Sequence, residues 1–208
     1  MGKTTNLADL DTYVFIDVSN IRSAALRSCQ IKLDFIKLIA YFQEKYMNLK
    51  SVRYYEGIAK YDKERLEQFK EYEKSGYEIC SLARKTYIDP AVYRTFICKN
   101  IKCKTPNRIR VLAPSTKMKS NVDVYIATEL LEIAHSAKKP THIILLACDG
   151  DYAEMIRSAV KNKNVHVTVI ATPPTKINNA LSARLKQLRN TIPNYQLTNI
   201  MSFKDKIS

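Results

Sequence analysis

The residues best suited to chemistry in this chain are aspartates at the ends of apolar runs. Asp17 closes YVFID (13–17), and Asp149 and Asp151 follow HIILLAC (142–148) directly. Short apolar runs of this kind read as buried strands, and a run apolar at every position reads as a strand covered on both faces. Carboxylates gathered at strand ends repel one another unless a cation or a proton offsets them. Their hard oxygens suit Mg2+ or Mn2+. Each acid also has a plainer role open to it. Asp17, Ser19 or Asn20 could cap the helix that follows. Asp149-Gly150 is a turn dipeptide, and Asp151 could cap a helix from 152. Asp123 stands in the first turn of a helix, where the dipole favours an anion. Capping requires no clustering at strand ends, so the conjunction favours a metal site. Glu129 turns to a different helix face from Asp123 at 100° per residue and is a weaker candidate.

A second group of residues points to a polyanionic partner. From Arg84 to Lys119 there are ten Lys or Arg and one acid, Asp89, which makes +9 of the chain's +14. The set includes Lys85, Arg94, Lys102, Lys104, Arg108, Arg110 and Lys117, and it ends just before Asp123. Tyr87, Tyr93 and Phe96 are interleaved and could stack on unpaired bases. Lysines on a solvated edge strand that deter aggregation are the plainer alternative. Local charge beside the acids favours nucleic acid.

The elements that must position these residues alternate. Strands are expected over 13–17, 51–57, 76–82, 142–148 and 165–171, and helices over 31–47, from Asp62 to Gly76, over 121–137, 152–162 and 178–189. Residues 84–120 alternate basic and apolar side chains, as a hairpin or edge strands would. Residues 190–208 are too irregular to place. Alternation of this kind implies right-handed βαβ units and a mostly parallel sheet covered on both faces. Ligands of such sheets bind beyond the carboxyl ends of the strands, where Asp17 and Asp149 lie.

Other classes are set aside by composition. The 208 residues, 46% hydrophobic and 26% charged, are enough for one large domain with a real core. No run of 18 apolar residues exists to span a membrane. The N-terminus has no apolar signal region, and Asn6 stands where a myristoylation signal wants Ser or Thr. The five cysteines (Cys29, Cys80, Cys98, Cys103, Cys148) are odd in number and lie mostly in apolar runs, as expected of reduced thiols in the cytoplasm. Cys98 and Cys103 lack a second pair to complete a zinc site. His135, His142 and His166 are scattered and read as structural.

Three blocks together resemble a known family. YVFIDVSNI, KSNVDVYIATELL and IILLACDGDYAEMIRSAVKNKNVHVTVIA are similar to the signature blocks of the NYN domain, the LabA-like and limkain-type relatives of PIN-domain nucleases. The resemblance covers residues 12–190, leaving 1–11 and 191–208 as tails. It implies a three-layer αβα sandwich, PIN-like or Rossmann-like, and metal-dependent RNA cleavage. By position it marks Asp17, Asn20, Asp123, Asp149 and Asp151 as the catalytic group, with the four aspartates on Mg2+ or Mn2+. Two positions depart from the family: Val18-Ser19 replaces a segment that commonly has glycine before Asn, and Glu129 stands where many members have Asp. The function expected is a ribonuclease acting on single-stranded RNA or structured loops, with a homodimer open. The rival is a non-catalytic RNA-binding module of the same fold. A haloacid-type phosphatase is disfavoured, because no second Asp follows Asp17 by two residues. A Walker-type loop is absent.

Overall fold

Six strands pair in parallel into one sheet. The computed structural model describes residues 6–97, 106–173 and 181–208. The sheet strands are β1 (Asp11–Asp17), β2 (Leu49–Ile58), β3 (Tyr77–Ala83), β8 (Thr141–Leu146), β9 (Val165–Ala171) and β10 (Tyr195–Asn199). Strands β4 (Lys85–Asp89), β5 (Val92–Ile97), β6 (Pro106–Leu112) and β7 (Ser115–Lys119) lie outside it. The sheet order is β10-β9-β8-β1-β2-β3, and every ladder is parallel. Chain order reverses between β1 and β8, so the crevice beyond their carboxyl ends is the switch point where ligands bind in such sheets.

The helices are α1 (Val18–Cys29), α2 (Phe35–Lys45), α3 (Lys63–Lys74), α4 (Val122–Ser136), α5 (Tyr152–Ala159) and α6 (Ala183–Leu188). The first three start where an aspartate takes up free backbone N–H groups. Asp34 accepts from Ile36 and Lys37 at the head of α2, and Asp62 accepts from Arg65 at the head of α3. Gly76, with φ +106°, makes the left-handed turn from α3 into β3.

Sheet alternation assigns the side chains to two layers. Tyr54 turns to one face and packs with Phe35, Phe69, Tyr72 and Tyr77. Tyr55 turns to the other, stacking on Phe15 at 6.1 Å and donating to Glu129 of α4. Asp17 shares the Phe15 face, so its carboxylate points toward α4 and α5. The residues of β8 are all buried, as a central parallel strand requires.

Two parts of the chain differ from the sequence expectation. Residues 191–208, expected to be a tail, supply the edge strand β10 and a 3-10 segment, Ile200–Lys206. Tyr195, Ile200, Phe203 and Ile207 are buried, and Phe203 stacks on Tyr41 at 4.6 Å. The strand is only five residues, and Tyr195 and Leu197 are its only apolar side chains, which hid it from periodicity. At the other end, β1 begins at Asp11 and is preceded by a 3-10 turn, Leu7–Asp9. The basic segment forms a ribbon in two successive antiparallel ladders, β4 with β7 and β5 with β6. It is a hairpin arm and adds no edge strand to the sheet.

Candidate metal site and nucleic-acid surface

Asp17 is the last residue of β1 and the N-cap of α1. Its Oδ1 accepts from the backbone N–H of Asn20 at 3.2 Å. Its Oδ2 accepts from the Tyr152 hydroxyl on α5 at 2.9 Å. The side chain is buried, with the residue 7% exposed. Burial pushes its carboxyl above the ordinary value, and the charges of Asp149 and Asp123 push the same way; the Asn20 and Tyr152 hydrogen bonds oppose them. A buried carboxylate with two like charges nearby is a group that a cation would stabilise.

Asn20 ties the two central strand ends together. Its Oδ1 accepts from the backbone N–H of Cys148 at 2.8 Å, linking the first turn of α1 to the segment after β8. Asp149 follows, and its Oδ1 accepts from the backbone N–H of Asp151 at 3.0 Å. That turn bond directs Asp149 toward the crevice.

Asp17, Asn20, Asp123 and Asp149 line one open cleft of about 680 Å3. Ser19, Ser23 and Arg27 of α1 line it too, as do Arg84, Met118, Lys119 and Ser120 at the root of the arm. Among the described residues none of the three aspartates is in an ion pair. Nor do three His, Cys, Asp or Glu side chains among the described residues converge closely enough to enclose an ion unaided. The donor set suits a hard cation that keeps part of its water shell rather than one caged by protein.

The other expected residues fall elsewhere. Asp151 is at the N-cap position of α5, but its side chain is 85% exposed and lies 3.8 Å from Arg184. It is not part of the cleft lining; its backbone N–H, held by Asp149, is what it contributes there. Glu129 accepts from Arg53 Nη1 and from the Tyr55 hydroxyl, each at 2.6 Å, and so is committed to the α4–sheet interface. Lys85 lies on β4 opposite Lys119 and does not itself line the cleft, and Lys117 pairs with Asp89 across the ladder. Arg94, Arg108 and Arg110 are exposed farther out on the arm, with Arg108 over the Tyr93 ring at 4.3 Å. Lys102 and Lys104 lie outside the described residues.

The family model of the NYN domain matches residues 11–189. The chain belongs to the NYN family. NYN domains carry the PIN-like nuclease fold, are generally nucleases that bind nucleic acid, and typically use divalent metals. No curated protein matches the chain. The crystal structure of a protein of unknown function from Vibrio parahaemolyticus shares its fold, with a TM-score of 0.58 at 16% identity over 95% of this chain and 98% of that one. The family match stops short of β10, which pairs with β9 at the edge of the same sheet.

Three contributors escaped the sequence reading. Tyr152 sits among apolar residues on an amphipathic helix, and nothing in its spacing marks it as a partner of Asp17. Arg27 is a lone cation in the last turn of α1. Gly57 does carry a signal, as a glycine ending a strand. A Cβ there would lie 1.9 Å from Ser120 Oγ and 2.6 Å from Ser120 Cβ, so only glycine lets the start of α4 close against the sheet. No described helix is long and apolar enough to cross a membrane.

Proposed function

We propose that this NYN domain is a Mg2+- or Mn2+-dependent ribonuclease acting in the cytoplasm. The observation that carries the reading is the cleft itself. Three carboxylates without ion-pair partners among the described residues face the same space as Arg27, Arg84 and Lys119. An acidic floor with a basic rim suits a metal and the phosphate it meets. Asp17, Asp123 and Asp149 would hold the ion, in part through water. When bound, such an ion activates a water and offsets charge developing on the scissile phosphate.

The remaining work falls to the chain's own groups. Tyr152 and the Asn20 N–H fix the Asp17 carboxylate in one orientation. The Asn20 side chain sets the spacing between the ends of β1 and β8, and so between Asp17 and Asp149. Arg84 and Lys119 hold phosphates on either side of the bond cut, which fixes the strand for in-line attack. Asp151 supports Asp149 through its N–H.

The test is cleavage of a labelled RNA with Mn2+, comparing the parent with Asp149→Asn. Loss of at least a hundredfold in rate with RNA binding retained is the expected result. Equal rates would overturn the assignment. Salt-sensitive RNA binding without turnover in the parent would instead make the domain a non-catalytic RNA-binding module.

A further inference from the structure

A second depression adjoins the cleft on the other side of the arm's root. It has a volume of about 290 Å3 and is lined by Leu82, Ala83, Lys85, Tyr87, Lys119, Ser120, Asn121 and Tyr125. Lys119, Ser120 and Asn121 line both this depression and the acid cleft, so the two are continuous across a three-residue wall. Its own lining contains no acid.

Two features show what it would take. The first is charge. Lys85 and Lys119 are directly opposed in the β4–β7 ladder, so their side chains leave the same face of the ribbon. Neither is in an ion pair among the described residues. Like charges directly opposed destabilise a ladder, and an anion between them removes that cost. The second is aromatic surface. Tyr87, two residues along from Lys85, leaves the same face, and Tyr125 comes from α4. Both rings are about half exposed, at 43% and 52%, although each is large enough to be core. Leu82 and Ala83 add an apolar floor between them. Flat rings with cations beside them match a base and its phosphate.

We propose that this depression is a base-binding subsite that seats one unpaired nucleotide next to the scissile phosphate, and that it makes the domain selective for single-stranded RNA. The inference rests on the reading of the cleft as the site that meets RNA. The strand crosses from the acid cleft over Lys119 and Asn121, its phosphate falls between Lys85 and Lys119, and its base lies against Tyr87 and Tyr125. Asn121 holds the N-cap position of α4, yet its side chain makes no capping hydrogen bond, which leaves the amide to meet the edge of the base. A base stacked inside a duplex cannot reach this depression, because its two faces are already covered by its neighbours.

The experiment measures binding by fluorescence anisotropy with EDTA present, so that no cleavage occurs. The probes are a labelled oligouridylate and a labelled RNA duplex of the same length. The proteins are the parent, Tyr87→Ala/Tyr125→Ala and Tyr87→Phe/Tyr125→Phe. Stacking losses on alanine substitution predict affinity for oligouridylate weaker by roughly five- to a hundredfold in the alanine protein. The phenylalanine protein retains it, and duplex binding changes little. Thermal melting confirms that each variant is folded. Unchanged oligouridylate affinity in the alanine protein overturns the subsite, as does an equal loss for duplex or a parent that binds no single strand. The Asp149→Asn comparison separates the two readings. A domain that loses its single-strand preference with the tyrosines but cuts nothing keeps the subsite and loses the ribonuclease.

Discussion

Asp17 concentrates the cost of the site in one residue. It is buried, faces Asp149 and Asp123, and receives only two hydrogen bonds in return. Asp17→Asn keeps an oxygen for the Asn20 N–H and an amide that can donate to Tyr152, while it removes the buried charge. The metal-free variant should therefore melt higher than the metal-free parent, by about 2–4 °C for each kcal/mol recovered. Added Mn2+ should raise the parent's melting temperature and leave the variant's nearly unchanged, because only a cation bound to the fold stabilises it. A variant that melts lower, or shifts equally with Mn2+, would contradict this account. His142 is a buried group of the opposite kind. It is 1% exposed, with Nε2 2.8 Å from Thr168 Oγ1, and burial followed by the nearby His166 holds its pKa down to about 4. An unfolded histidine titrates near 6.5, so the unfolded chain takes up a proton in this window that the fold refuses. Stability is whole above pH 6.5 and is lost as pH falls toward 4, by ~3 kcal/mol at most. Urea midpoints at pH 7 and 4.5 should differ less in His142→Gln than in the parent; parallel losses would exclude His142 as the cause. At this scale the sequence showed the acids, because a strand end followed by Asp is a visible pattern. It did not show Tyr152 or the Asn20–Cys148 bond, which join residues more than a hundred positions apart and leave no periodicity.

The elements explain why those residues meet. β1 and β8 are neighbours in the sheet but 130 positions apart in their first residues, Asp11 against Thr141 being paired in register. Their buried, uninterrupted apolar runs made both readable, and the switch-point rule then placed the acids together. The elements that were not readable are those stabilised by tertiary packing rather than by their own pattern. β10 has few apolar residues, yet it pairs with β9 and carries Tyr195 and Leu197 against the core. α4 presents a different problem, since it must bring Asp123 and Asn121 to the cleft without a side-chain cap at its start. Its position is set from below by Gly57, where Ser120 fills the space a Cβ would need. In Gly57→Ala, rotation can move the Ser120 hydroxyl, but the Cβ–Cβ approach remains, so the segment carrying Lys119, Asn121 and Asp123 must lift. The expected cost is about 1–3 kcal/mol of stability, as for other overpacked sites. RNA cleavage should fall by more than the stability loss accounts for, measured at a temperature where the variant is fully folded. Gly57→Ala/Ser120→Gly removes the clash and should recover most of the activity. Failure of this second change to help would mean that Gly57 acts in another way.

On the scale of the whole molecule, charge and core are separated. The three-layer body buries the apolar residues, while the arm holds ten of the chain's 34 cations and only one acid. The charge run was visible in the sequence, but the shape it takes was not, because a ribbon exposed on both faces lacks the one-sided alternation of a sheet strand. Val92, Tyr93, Phe96, Ile97, Ile109 and Leu112 are all substantially exposed on it. A two-stranded ribbon is marginal on its own, so an arm of this kind gains from a partner that covers it, and its charge selects a polyanion. Replacing residues 90–114 by Asn-Gly closes β4 and β7 with a two-residue turn that suits their antiparallel pairing. The deletion removes six cations: Arg94, Lys99, Lys102, Lys104, Arg108 and Arg110. The body and the residues lining the cleft are untouched, so the melting temperature should stay within about 2 °C of the parent's, a change in stability of no more than about 1 kcal/mol. Affinity for single-stranded RNA should fall, and so should its dependence on salt. If all six cations meet phosphates, the slope of log affinity against log salt becomes shallower by about 4; contact by only some of them gives a proportionate fraction. Cleavage at saturating RNA should persist, because the carboxylates, Arg84 and Lys119 remain. A truncated protein with the parent's salt slope would show that the arm's outer half does not touch RNA and that recognition is confined to its root.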